Sequence, residues 1–238
     1  MLYIKGLCKT YKGGKKAVDN LTLHVAKGDI YGFIGHNGAG KTTTLRACAG
    51  ILDFDSGEIT INGKSIVKDP VACKKEIAFI PDNPDLYDYI TGIQYLNFVC
   101  NIYGISKADR EKRIKEYASA LEIYSNLGDL VSSYSHGMKQ KLAFVGALVH
   151  KPKLMILDEP FVGLDPKASH TVKQIMRDMC DEGAAVLFST HVLETAERLC
   201  NNIAIIKDGH LVANGSTDKV RGDASLEDVF MDLINHND

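Results

Sequence analysis

No stretch constrains this chain more than the nine residues Gly35-His36-Asn37-Gly38-Ala39-Gly40-Lys41-Thr42-Thr43. They follow the P-loop spacing of a glycine, four free positions and then Gly-Lys-Thr, and the apolar run Ile30-Tyr31-Gly32-Phe33-Ile34 before them reads as a buried strand. Thr42 to Cys48 contains neither Pro nor Gly, so a helix can begin there. The backbone N–H groups of the loop and of the first helical turn then converge on one point, which is an anion site. The helix dipole adds about half a positive charge and Lys41 a full one, so the fitting guest is a polyphosphate, with the Thr42 hydroxyl offered to Mg²⁺. Two fixed glycines followed by Lys and Ser/Thr arise by accident in about one chain in a hundred of this size, so a glycine turn with no ligand is a poor account of the motif.

Composition bounds the partners. At 238 residues the chain can bury a real core, and 45% hydrophobic with 24% charged residues is ordinary for a globular protein, which argues against disorder. Lys plus Arg (28) against Asp plus Glu (30) leaves a net charge of -2, so no overall field draws the protein to nucleic acid or anionic lipid, and no nucleic-acid partner is expected. The cysteines Cys8, Cys48, Cys73, Cys100, Cys180 and Cys200 show no metal-ligand spacing and are expected to be reduced, mostly core residues of a cytosolic protein. No signal peptide is expected at Met1-Leu2-Tyr3-Ile4-Lys5, and no apolar run approaches the roughly 20 residues that span a bilayer.

Leu2 to Ile4 and Leu21 to Val25 alternate like half-buried strands around a turn-rich Lys12 to Lys16, and Glu58 to Ile61 leads into an Asn62-Gly63 hairpin turn. These predict a small antiparallel sheet. Ile77 to Ile80 is a further short strand, closed by Pro81-Asp82-Asn83-Pro84. The segment 83–150 then reads as helical: Thr91 to Tyr103 with Ile93, Leu96 and Ile102 near helical spacing, a helix capped by Ser106 with Ile114, Tyr117, Ala118 and Leu121 on one face, and a third following a Ser135-His136-Gly137 turn. The mixed-sign run Lys107 to Lys115 reads as a solvated face. Parallel-sheet texture resumes in Leu154 to Leu157, ending in Asp158-Glu159-Pro160, and in Ala184 to Phe188, ending in Ser189-Thr190-His191. Asp165 caps a helix with Pro166 at its first position, Ile203 to Ala213 forms a hairpin, and Ser225 to Asp228 is a capping box before an apolar stripe.

Three strand ends therefore carry polar residues: the P-loop, Asp158-Glu159 and His191. In an open α/β sheet ligands bind beyond the carboxyl ends of strands, so these ends are expected side by side. Two adjacent carboxylates beside a polyphosphate are costly unless a metal or proton transfer offsets the repulsion. Asp158 suits Mg²⁺, Glu159 suits an attacking water, and a His191 N–H can reach a terminal phosphate.

The ordered set Gly35 to Thr43, Tyr134-Ser135-His136-Gly137-Met138, Leu154 to Pro160, Gly163-Leu164-Asp165 and Ser189-Thr190-His191 resembles the ATP-binding subunits of ABC transporters over essentially the whole chain. The resemblance implies an α/β fold: a P-loop NTPase (RecA-like) core with a mostly parallel sheet, an N-terminal antiparallel β subdomain and an inserted α-helical subdomain. Residues 1–82 and 151–238 would form the core and β subdomain, and 83–150 the helical part carrying the signature motif. It implies ATP and Mg²⁺ as ligands, catalytic roles for Glu159, His191 and Lys41, adenine stacking by Tyr11, and phosphate contacts from Gly35, His36, Asn37, Gly38, Ala39, Gly40, Lys41, Thr42 and Thr43. Ser135 and Gly137 would act from a second copy, and Thr42, Asp82 and Asp158 would face the metal.

Two departures stand out. Tyr134, His136 and Met138 replace three residues of the usual Leu-Ser-Gly-Gly-Gln signature, and Asp82 stands where a glutamine is usual. The implied partners are a separate transmembrane permease subunit and a homodimeric or heterodimeric second ATP-binding subunit, at the cytoplasmic face of the cell membrane. The stretches Ser189 to Gly215 and Ser225 to Leu233 look most like the ABC-2-type exporter group, so export is the expected direction. The alternatives are a soluble ABC-type ATPase that remodels a protein or nucleic-acid assembly, and a P-loop kinase.

Overall fold

Period-two alternation along the central strands sends neighbouring residues to opposite sides, and this divides the interior of the molecule. A computed structural model describes residues 1–235 of the chain; residues 236–238 lie outside the described residues. In chain order the elements are β1 (Leu2–Thr10), β2 (Lys16–Val25), β3 (Ile30–Ile34), α1 (Lys41–Cys48), β4 (Ser56–Ile61), β5 (Lys64–Ser65), α2 (Pro70–Lys74) and β6 (Ile77–Ile80). A helical segment follows with α3 (Gly92–Ile102), α4 (Lys107–Ala120) and α5 (His136–Leu148). The chain then runs through β7 (Leu154–Asp158), α6 (Pro166–Asp181), β8 (Ala185–Thr190), α7 (Leu193–Leu199), β9 (Asn202–Lys207), β10 (His210–Ser216), α8 (Thr217–Arg221) and α9 (Leu226–Asn235).

Two sheets form. One is antiparallel, in the order β2-β1-β4-β5; the other has the order β10-β9-β3-β8-β7-β6 and is parallel except for β10. Leu154 and Ile156 of β7, with Tyr31 and Phe33 of β3, face α1, α2 and the antiparallel sheet. Met155 and Leu157, with Ile30 and Ile34, face the other way, into a core shared with α3 to α7 and α9. Burying each such side chain contributes about 1.5–3 kcal/mol, so the central strands stabilise both sides at once.

The predicted strands, caps and turns are present, with local corrections. Ser135 is the N-cap of α5, its Oγ accepting from the Met138 N–H at 3.3 Å, so His136 and Gly137 belong to the first helical turn and not to a preceding one. Ile102 is exposed, while Tyr95 and Val99 pack on the core beside Leu96 and Cys100. The run Lys107 to Lys115 is not simply a solvated face. Arg110 donates to Asn97 Oδ1 and Asn101 Oδ1, and Arg113 Nη1 donates to the Val149 carbonyl at 2.9 Å, so both tie α4 to its neighbours. Except for Cys8, which is half-buried, the cysteines are buried, and all are free thiols.

Candidate active site

The strand order places β8 between β3 and β7, pairing Ile34 with Thr190 and Asp158 with Ser189. The P-loop, Asp158-Glu159 and His191 therefore emerge together at one end of the sheet. The loop's tight path rests on Gly40, whose φ is 109° and where a Cβ would lie 2.3 Å from the Ala17 carbonyl oxygen. No other residue type fits there. Lys41 opens α1 with its ammonium folded back, donating to the carbonyls of Gly35 at 2.6 Å and His36 at 3.2 Å. Burial lowers its pKa, opposed first by Glu159 and then by Asp158.

Glu159 sits just past β7 with φ at 47°, a left-handed conformation that a residue with a side chain adopts only under constraint. Its N–H donates to Ser189 Oγ at 3.0 Å, and the same hydroxyl donates to Asp158 Oδ1 at 2.5 Å. One hydroxyl thus ties both carboxylate residues to β8. The Glu159 carboxylate lies 2.9 Å from His191 Nδ1 and 4.0 Å from Lys41 Nζ.

A cavity of about 250 Å³ opens over the loop, lined by Tyr11, His36, Asn37, Gly38, Gly40, Lys41, Thr42 and Thr43 and by the carboxylates of Asp82, Asp158 and Glu159. Tyr11 is partly exposed at the rim, its hydroxyl 3.2 Å from Thr43 Oγ1. Gly35 and Ala39 do not line it: a Cβ on Gly35 would meet the Ile206 carbonyl oxygen at 2.5 Å, and Ala39 is buried. They shape the loop from behind. His191 reaches the cavity through Glu159, whereas Ser135 and Gly137 lie outside its lining.

Lys15 and Ala17 also line the cavity, and Ser189 organises it. Nothing in the sequence singles out the first two: Lys15 lies in a stretch whose composition signals only a turn. The role of Ser189 depends on cross-strand register.

The donor set fits a hard cation. Asp158 is 1% exposed, and its Oδ2 has no hydrogen-bond partner, an orphaned charged oxygen that a hydrated Mg²⁺ would satisfy. Among the described residues no three His, Cys, Asp or Glu side chains converge as a metal-binding set. A cation here therefore takes most of its ligands from phosphate and water, as Mg²⁺ commonly does.

A P-loop on a parallel strand, with a buried carboxylate and an adjacent glutamate ending a nearby strand, defines a P-loop nucleoside triphosphatase. The family model described as ABC transporter matches residues 18–162. The ABC-type transporter ATP-binding protein EcsA of Bacillus subtilis is 35% identical over 98% of this chain and 96% of its own length. The Nod factor export ATP-binding protein I of Paraburkholderia xenovorans is 36% identical over 87% of this chain and 68% of its own. A solved structure of an ATP-binding subunit of an ABC transporter superimposes with a TM-score of 0.94 at 34% identity, covering 99% of this chain and 100% of the other. The chain belongs to the ABC transporter family, as an ATP-binding, ATP-hydrolysing subunit.

Proposed function

We propose that this subunit closes around Mg-ATP as a dimer and uses hydrolysis to drive export through a separate transmembrane subunit. The observation that carries the reading is the placement of Glu159, which borders the P-loop cavity with His191 on one side and Lys41 on the other. The loop N–H groups and Lys41 hold the phosphates, and Tyr11 offers its ring to the base from the rim. Glu159 orients the attacking water, with His191 donating through Nδ1 to fix the carboxylate; only the doubly protonated ring also has an Nε2–H to offer the terminal phosphate. Thr42, Asp158 and Asp82 would hold Mg²⁺, which, when bound, neutralises charge on the β- and γ-phosphates.

Ser135 and Gly137 stand at the N-terminus of α5, outside their own subunit's cavity, which suits a phosphate contact made to a second copy. Residues 83–150 form the subdomain that carries this contact. Tyr87, Tyr89 and Phe98 are exposed on it, and Tyr87 and Phe98, packed edge to face, adjoin Leu86 and Val99 of a groove of about 330 Å³. Exposed aromatics next to an apolar groove suit docking of a membrane subunit at the cytoplasmic face. Among the described residues no helix is long and apolar enough to cross a membrane. Export as the direction is supported by the Nod factor export relative and by the resemblance to ABC-2-type exporters.

The test is Glu159→Gln. Turnover is expected to fall by about a hundredfold or more while ATP binding persists, and size-exclusion chromatography with Mg-ATP should show an accumulated dimer. Turnover near that of the wild type, in protein free of contaminating ATPase, would reject the assignment.

A further inference from the structure

The first two turns of α5 grip the loop that leaves Glu159. Gln140 is fully buried, and its Nε2 donates to the Pro160 carbonyl at 3.4 Å. A carbonyl only accepts, so the amide nitrogen must face it. Oε1 is then left buried without a hydrogen-bond partner. An amide using half its capacity is a poor core filler, because an apolar side chain of the same length would fill the space without desolvating an acceptor.

Neighbouring contacts point the same way. Lys141 Nζ lies 2.8 Å from Asp165 Oδ2. A Cβ on Gly137 would come within 2.6 Å of the Gly163 carbonyl oxygen, and one on Gly163 within 2.3 Å of the His136 ring, so the two backbones meet where only glycine fits. On its other flank the strained Glu159 is held by Ser189 at its N–H. Only Gln140 holds the carbonyl of the residue that follows it, among the hydrogen bonds of the described residues.

We propose that Gln140 is a positioning residue for Glu159: by fixing the Pro160 carbonyl to α5 it sets the angle at which the carboxylate enters the cavity. The inference rests on the reading of Glu159 as the catalytic carboxylate. It also ties the first two turns of α5 to the loop 160–165 within a subunit, so a shift of α5 is passed through the Pro160 carbonyl to the adjoining Glu159.

The test is steady-state ATPase kinetics on Gln140→Met, which keeps length and removes the donor. We expect kcat to fall about tenfold, with KM and the affinity for a non-hydrolysable ATP analogue within about twofold of wild type. In a Glu159→Gln background the same change should leave residual turnover unaltered, because the group being positioned is gone. Gln140→Glu, whose buried carboxyl donates only when protonated, should gain turnover relative to wild type as pH falls, and it also serves if the methionine variant does not fold. An unchanged kcat for Gln140→Met, equal fractional losses in both backgrounds, or a pH-independent ratio for Gln140→Glu would overturn the proposal. Retention of turnover by Glu159→Gln would instead remove the reading on which it rests.

Discussion

Ser189 carries more of the site than its size suggests. It has one hydroxyl proton, committed to Asp158, and its oxygen accepts from the Glu159 N–H. Ser189→Ala would leave both Asp158 oxygens without a protein donor and the Glu159 N–H unpaired. Loss of about 1–3 kcal/mol of stability is expected, read as a lower urea midpoint, together with reduced turnover. An unchanged midpoint and rate would show that water replaces the hydroxyl fully. Lys41, Asp158, Glu159 and His191 were legible in the sequence because each stands in a short motif at a predicted strand end. Ser189 and Gln140 were not, since a hydroxyl or amide acquires meaning only when register or helix packing gives it a partner. Gly35 and Ala39 were legible as part of the P-loop, but the pattern does not say which of its residues face the cavity.

Elements are held at their ends. Thr91 and Gln94 form a reciprocal capping box at the start of α3, and Ser106 and Asp165 cap α4 and α6. Just past α5, His150 stacks on Tyr103 with ring centroids 3.8 Å apart, and its Nε2 lies 3.1 Å from the Ile77 carbonyl oxygen of β6. Burial lowers its pKa, against the pull of the Ile77 and Gly146 carbonyls. The unfolded chain therefore binds a proton near pH 6.5 that the folded chain takes up only at lower pH. His150 thus contributes stability above about pH 6.5, which is lost as pH falls toward its folded value. His150→Gln should flatten the fall in urea midpoint between pH 7 and pH 5; an unaltered pH profile would rule this out. The Ser106 and Asp165 caps were readable from residue type and spacing, whereas the Thr91-Gln94 box went unread and the inward turn of Arg110 and Arg113 was not readable, because their partners are backbone and amide oxygens on neighbouring segments.

At the scale of the molecule, Leu96, Phe144 and Val145 of the helical segment share a core with Met155, Leu157 and Phe188 of the sheet. Residues 83–150 are therefore distinct in texture yet not independent in packing. A fragment of those residues is expected to show no cooperative thermal transition by circular dichroism, while the full chain melts as one unit; a sharp transition in the fragment would contradict this. The parallel ladder from β3 through β8 to β7 also has a mechanical meaning. Sliding one of these strands along its neighbour strains every ladder bond at once, so the end that holds phosphate, carboxylates and His191 behaves as a stiff anvil. Displacement generated there is not absorbed within the sheet. It is handed on to the segments leaving the strand ends, above all the loop 160–165, which Gln140 and Lys141 tie to α5.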